Sequence, residues 1–365
     1  MLVRERGADD ARWMRRALEL AERGRGRVSP NPLVGAVVVR DGEIVGEGWH
    51  GEFGGPHAEV VALRDAGKKA RGATLYLTLE PCAHHGKTPP CSEAILKAGI
   101  SRMVFAIPDP HPPASGGAAI VANGGVVVRS GVEEERARDL NGGFLHRFGP
   151  ERDRPWTVLK LALSIDGRMA DRDRRSGWIT GEEARREVHR ERAEMDAIAV
   201  GGGTVLKDDP RLTVRGDIVP RKAPARVVFD RQLRLPLDSR LVRTAEETPV
   251  IAVASREAGT DAAADLRRAG VDVIVATDLR DGLRQLRERD VSSLYLEGGA
   301  VLAGAFVSSN LVDRLHLYLA PLLLGPEGLH PFAGIESPSL GGAARWRRLE
   351  TRGLGEDTLI RLARD

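Results

Sequence analysis

The sequence predicts an α/β chain folded as two domains, residues 1–150 and 151–365. Three observations carry this. At 365 residues the chain exceeds one ordinary core and suits two, since domains settle at about 100–200 residues each. Apolar runs of strand length alternate with stretches of helical apolar spacing, the pattern of layered α/β architecture. Between the halves, residues 148–155 (FGPERDRP) are polar, hold two prolines and show no periodicity, which marks a boundary.

In the first half, residues 9–21 place Trp13, Ala17, Leu18 and Ala21 at helical spacing. The Ser29-Pro30-Asn31-Pro32 break then leads into a strand at 34–39, and Asp41-Gly42 is a hairpin turn signal before a return strand at 44–48. A helix is predicted over 57–66, a strand over 73–79 and a short helix over 92–98 stopped by Gly99, with further strands at 102–107 and 125–128. In the second half, strands are predicted at 156–163, 197–200, 226–229, 250–253, 271–275 and 294–297. Helices fall near 182–192, 261–268 and 281–289.

Composition narrows the function classes. Hydrophobic residues at 42% and charged residues at 29% describe a globular chain rather than a disordered one. The 55 basic and 52 acidic residues nearly cancel, and the arginines are scattered among acids, so nothing demands a nucleic-acid surface. Residues 1–20 lack the apolar run of a signal peptide or membrane span, and a cytoplasmic protein is expected. Only two cysteines are present, and a close pair in a reducing compartment is more often metal-binding or catalytic than a disulfide.

Those cysteines, Cys82 and Cys91, join His57 as a zinc constellation. Zinc takes imidazole and thiolate readily, and a helix start favours the thiolate at Cys91 because unpaired backbone N–H groups stabilise negative charge. Three protein ligands leave the fourth tetrahedral position to water, which zinc acidifies, whereas structural sites close with four. Glu59, two residues from His57, has the chemistry to move the protons of a hydrolytic deamination. Zinc nucleobase deaminases carry His-x-Glu followed by Pro-Cys-x-x-Cys. Here the first half is intact, but eight residues separate the cysteines instead of two. Two alternatives stay open: a capping histidine with buried cysteines, or a closed structural site completed by His84 or His85.

Asn31-Pro32-Leu33-Val34-Gly35, His57-Ala58-Glu59-Val60 and residues 79–91 (LEPCAHHGKTPPC) together resemble the bifunctional riboflavin-biosynthesis deaminase/reductase family, whose own variant is the eight-residue loop. The match continues through residues 161–168 (LALSIDGR), 177–180 (GWIT), 196–215 (DAIAVGGGTVLKDDPRLTVR) and 297–305 (EGGAVLAGA). The resemblance implies a cytidine-deaminase-like α/β/α domain followed by a dihydrofolate-reductase-like α/β domain. It implies zinc-dependent removal of the 2-amino group of a phosphoribosylamino-diaminopyrimidinone, then NADPH reduction of the ribosyl side chain to ribityl. Asn31 and His84 would seat the pyrimidine, and Lys87 would meet the 5′-phosphate. Ala162, Trp178, Thr204, Asp208 and the stretch Gly299, Ala300, Val301, Leu302, Ala303, Gly304 and Ala305 would contact NADPH. Ser176, Arg192, Leu212, Arg215 and Glu297 would contact the substrate. The expected partners are small phosphorylated pyrimidines, with no nucleic acid and no membrane, in a homo-oligomer.

From the residues alone the second half says less. It lacks a Gly-x-Gly-x-x-Gly between strand and helix, Gly201-Gly202-Gly203 not meeting that spacing. Arg192 and Arg215 suit phosphate because their planar forks bind it bidentately, although a solvated charge is the commoner role of an arginine in so arginine-rich a chain. Trp178 taken alone reads as core packing. Lys160 and Asp166 are the ionisable groups to test near the hydride, or else a structural ion pair. The chain departs from the family in three places, one being the unusually charged segment 170–175. Residues 114–118 read ASGGA where the family has Val-Ala-Gly-Arg-Gly, and Arg231 stands where a serine is common. Two further readings compete: a nucleic-acid or nucleoside deaminase with an unrelated second domain, or a non-catalytic zinc-stabilised binding protein.

Overall fold

The structure, a computed structural model, describes residues 2–84, 90–174, 177–216, 219–335 and 339–364. The chain divides into two compact units, Met1–Pro150 and Glu151–Asp365.

In the first unit, α1 (Leu2–Ala21) is followed by the hairpin β1 (Gly35–Arg40) and β2 (Glu43–Trp49), then α2 (Ala58–Ala66) and β3 (Thr74–Leu79). After these come α3 (Cys91–Ala98), β4 (Arg102–Ile107), α4 (Gly117–Asn123), β5 (Val127–Ser130), α5 (Glu134–Leu140) and α6 (Gly142–His146). The sheet order is β2-β1-β3-β4-β5, antiparallel from β2 through β1 to β3 and parallel from β3 to β5. Asp41 and Gly42 make the two-residue turn at positive φ, 53° and 79°. The near-continuous burial of β1, β3 and β4 means that helices cover both faces of the sheet. α1 packs on β1 and β3, while α2 packs on β2 and β1 and touches α3. Glycines set the second contact. A Cβ at Gly46 or Gly48 of β2 would lie 2.4 Å from the Ala62 or Ala58 carbonyl oxygen, so only glycine lets α2 settle this close to the sheet.

In the second unit the strands are β6 (Trp156–Ser164), β7 (Ala197–Gly201), β8 (Ala225–Phe229), β9 (Val250–Ser255), β10 (Asp272–Ala276), β11 (Ser293–Leu296), β12 (Arg314–Ala320), β13 (Trp346–Leu354) and β14 (Asp357–Arg364). The helices are α7 (Glu182–Ala193), α8 (Gly202–Asp208), α9 (Arg240–Arg243), α10 (Thr260–Arg268), α11 (Leu279–Arg287) and α12 (Ala300–Ser308). The sheet order is β10-β9-β8-β7-β11-β6-β12-β14-β13, parallel as far as β12 and antiparallel in the last two pairings. Ala197 and Ala199 fall in one hydrophobic core and Ile198 and Val200 in another, so alternate residues of β7 serve both faces. The polar run read as a boundary is not uniformly solvated. Arg154 is fully buried and holds Asp313 bidentately, both nitrogen–oxygen distances being 2.7 Å.

Among the described residues no helix is long and apolar enough to cross a membrane.

Candidate active sites

The structure gathers the three residues singled out for zinc. His57 is the residue before the first turn of α2, in extended backbone, and Cys91 is the first residue of α3. Cys82 lies on the loop after β3. The His57 Nδ1 atom is 3.1 Å from Cys91 Sγ and 3.6 Å from Cys82 Sγ, and all three donor atoms lie within 4.8 Å of one another. The Cys91 side chain and, at 3.4 Å, its backbone N–H donate to Cys82 Sγ, which holds the Cys82 thiol down at about 4 and pushes that of Cys91 up. One nitrogen and two sulfurs fit a borderline-soft divalent ion such as zinc.

Glu59, in the first turn of α2, is 3% exposed, and burial pushes its carboxyl above the usual range. Asn31 reaches the same region through a residue that sequence reasoning missed. His50 places Nδ1 3.1 Å from the Pro56 carbonyl and Nε2 3.1 Å from Asn31 Nδ2. A carbonyl only accepts, so Nδ1 carries the proton, Nε2 accepts from the Asn31 amide, and Asn31 Oδ1 remains for a ligand. The His50 ring meets the His57 ring edge-on at 5.8 Å, and burial pushes the His50 imidazole down. His84 is exposed beside this cluster in sequence, and Lys87 lies outside the described residues.

The departing segment has a role of its own here. Glu80 accepts from the backbone N–H groups of Asp109, Gly116 and Ala118 at 3.1–3.2 Å, and Ala114 packs with Cys82 and Cys91. The segment 109–116 thus packs against Cys82 and Cys91. A Cβ on Gly117 would lie 1.9 Å from the Pro81 carbonyl oxygen, leaving this backbone no room for a side chain at that position. Gly117→Ala therefore displaces Pro81 and with it Cys82. The expected loss is roughly 1–3 kcal/mol of stability, with lowered zinc content, checked by thermal melting and metal analysis. Unchanged zinc content would refute the coupling.

In the second unit a cavity opens at the carboxyl end of the sheet, where β6 and β11 are neighbours, the usual place for ligands in open α/β sheets. Its lining includes Lys160, Ala162, Trp178, His189, Arg192, Arg215 and Glu297. Trp178 is not core. It is 74% exposed, with the Arg185 guanidinium over its ring at 5.1 Å. Arg192 is already committed. Its Nε and Nη2 meet the Glu297 oxygens at 2.5 and 2.9 Å, and its Nη1 donates to the Thr213 carbonyl at 2.8 Å. Burial raises the Glu297 carboxyl, but Arg192 and then Lys160 outweigh it and hold the group below its usual range. Among the described residues the Arg215 guanidinium has no hydrogen-bond or ion-pair partner, which makes it, rather than Arg192, the cation free to meet an anion.

Burial pushes the Lys160 ammonium down; its Nζ lies 5.8 Å from the centre of the Tyr318 ring. Asp166 does not pair with it. Its carboxylate accepts from Ser164 Oγ and from the Leu324 and Gly325 backbone at 2.5, 3.1 and 2.8 Å, so Asp166 ties a turn. Leu212 adopts φ 49° and points into a core, apart from the cavity lining. Thr204 and Asp208 lie on α8, and a Cβ at Gly299 would be 3.6 Å from Thr204 Oγ1, so the starts of α8 and α12 adjoin. Within Gly299–Ala305 the faces differ: Val301 is 75% exposed, Ala300 and Ala303 are buried, and Gly304 backs onto the Ala333 carbonyl. Ser176 lies outside the described residues, and Arg231 is exposed.

A three-donor metal cluster beside a buried carboxyl, followed by an α/β unit with a charged crevice, defines a two-unit enzyme of the zinc-deaminase and reductase class. The comparisons agree. Residues 8–107 match the cytidine and deoxycytidylate deaminase zinc-binding region, and residues 155–360 match the RibD C-terminal domain. The chain is 42% identical to the riboflavin biosynthesis protein RibD of Aquifex aeolicus, over 96% of this chain and 97% of that one. It is 41% identical to that of Escherichia coli, over 97% and 99%. Solved structures of Acinetobacter baumannii RibD and of the Thermotoga maritima deaminase/reductase superpose with TM-scores of 0.81 each. Their identities are 38% and 36%, and at least 98% of each chain is covered. The chain belongs to the RibD family of bifunctional riboflavin-biosynthesis enzymes, a deaminase domain followed by a reductase domain.

Proposed function

We propose that the first unit converts 2,5-diamino-6-(5-phosphoribosylamino)pyrimidin-4(3H)-one and water into 5-amino-6-(5-phosphoribosylamino)uracil and ammonia, and that the second reduces the ribosyl group of that product with NADPH. The observation that carries the first half is the cluster of His57, Cys82 and Cys91 with buried Glu59 two residues along α2. His57, Cys82 and Cys91 would hold zinc, which would supply an acidified water as the nucleophile. Glu59 takes the proton from the attacking water and returns it to the departing ammonia, a role suited by a carboxyl raised toward neutrality. Asn31, oriented by His50, offers Oδ1 to an N–H of the pyrimidine edge. His84 and Lys87 would complete the ring and phosphate contacts.

In the second unit Arg215 receives the substrate phosphate, with Ser176 and the Leu212 segment beside it. The Arg192–Glu297 pair forms the floor, its carboxylate oxygens offered to ribosyl hydroxyls. Trp178, Ala162, Thr204, Asp208 and the exposed face of Gly299–Ala305 would hold NADPH, which supplies the hydride.

The test follows ammonia and NADPH in one vessel. Zinc-loaded protein with the diaminopyrimidinone phosphate and NADPH releases ammonia first, and absorbance at the NADPH band falls after it. Ammonia without NADPH oxidation would reject the second half of the proposal. Chelation separates the units: removing zinc abolishes ammonia release and leaves NADPH oxidation on supplied aminouracil phosphate within about twofold. Loss of both together would show that the reductase also needs the metal.

A further inference from the structure

The cavity of the second unit contains a side chain that neither the family motifs nor the proposed chemistry uses. His189 and Arg192 are three residues apart on α7, so they project from one face of the helix toward the segment 211–216. Arg192 donates to the carbonyl of Thr213 at 2.8 Å, and His189 Nδ1 lies 3.2 Å from the backbone nitrogen of Arg215. The two contacts fall on alternate residues of the segment, and Leu212 is anchored in the core between them and Arg211. Helix and core therefore fix the register in which Arg215 meets the cavity.

The ring chemistry is determined by its partner. A backbone N–H only donates, so Nδ1 accepts and the imidazole is neutral with its proton on Nε2. Burial, then the Arg192 and Arg215 guanidinium groups, hold the imidazole down at about 4, and the ring stays an acceptor at neutral pH. Against these cations stands Glu297, which is taken up by Arg192. A protonated ring at this position would face two guanidinium groups and lose the Arg215 contact.

We propose that His189 is a positioning residue of the reductase, pinning the Arg215 backbone so that the uncommitted guanidinium stands where a phosphate monoester enters the cavity. The assignment rests on the reading of this unit as a reductase of a phosphorylated substrate. Arg215 makes the contact with the anion; His189 acts through it.

The experiment compares His189→Ala and His189→Gln with the wild-type chain in steady-state NADPH oxidation, using the aminouracil substrate with and without its 5′-phosphate. In His189→Ala the KM for the phosphorylated substrate rises about five- to tenfold, the size expected of one neutral hydrogen bond. Its kcat and the KM for NADPH stay within about twofold, and the KM for the dephosphorylated substrate is unchanged. Inhibition by inorganic phosphate weakens in parallel. In His189→Gln the side-chain carbonyl oxygen takes over as acceptor and restores most of the KM. Equal rises for both substrates, or a Gln variant no better than Ala, would overturn the assignment and make the residue structural. A wild-type chain that does not oxidise NADPH at all would instead sink the reductase reading.

Discussion

Glu59→Gln lowers ammonia release by about 10²–10⁴-fold, while bound zinc and NADPH oxidation on supplied aminouracil phosphate stay at wild-type levels. The amide has the size of the carboxyl, so the first turn of α2 and the adjacent donor set are undisturbed. What it loses is a proton that can come and go. A group that is 3% exposed and raised by burial sits closer to the operating pH than a solvated carboxylate, which favours it as both acceptor and donor in one cycle. Zinc measured by metal analysis separates this outcome from loss of the ion. Ammonia release within tenfold of wild type would remove Glu59 as the proton carrier and leave the three donors as a structural site.

Two of the three metal donors were legible because they are close in sequence to helix starts that the apolar spacing already marked. His57 precedes α2 and Cys91 opens α3, so chemistry and secondary structure pointed to the same residues. His50, Glu80 and His189 were not legible. Each acts on a backbone or side chain that only the fold brings near: Asn31 at nineteen residues' separation, Gly116 at 36, Arg215 at 26. The strand β13 escaped for another reason. β13 ends the sheet, and its run Trp346–Leu354 is largely half-exposed and rich in arginine, without the apolar face by which a strand is read. α12 failed in the opposite way, since Ala300–Ser308 is apolar nearly throughout and shows no amphipathic period. Arg192 shows what residue type alone leaves out. Its type suits a phosphate, but the sequence could not show that Glu297, 105 residues away, already occupies its fork.

That pair sets the second large effect. Arg192 and Glu297 have side chains only 11% and 13% exposed, and breaking a buried pair by removing one partner costs about 3–5 kcal/mol because the other charge is left unpaired. For a unit of this size the corresponding fall in Tm is roughly 6–20 °C. The two single variants are not equivalent. Arg192→Leu leaves Glu297 with Lys160 as a nearby cation, whereas Glu297→Leu leaves Arg192 and Lys160 repelling each other, so the second falls further. Arg192→Leu combined with Glu297→Leu removes both charges and fills the space with apolar atoms, and it recovers most of the Tm. NADPH oxidation does not return with it, because Thr213 has lost its donor and the ribosyl hydroxyls their carboxylate. Calorimetry of the three variants, paired with NADPH absorbance, therefore separates what the pair does for the fold from what it does for substrate. Equal melting of Arg192→Leu and wild type, or a double variant that regains turnover with its Tm, would show that the pair does not hold this floor.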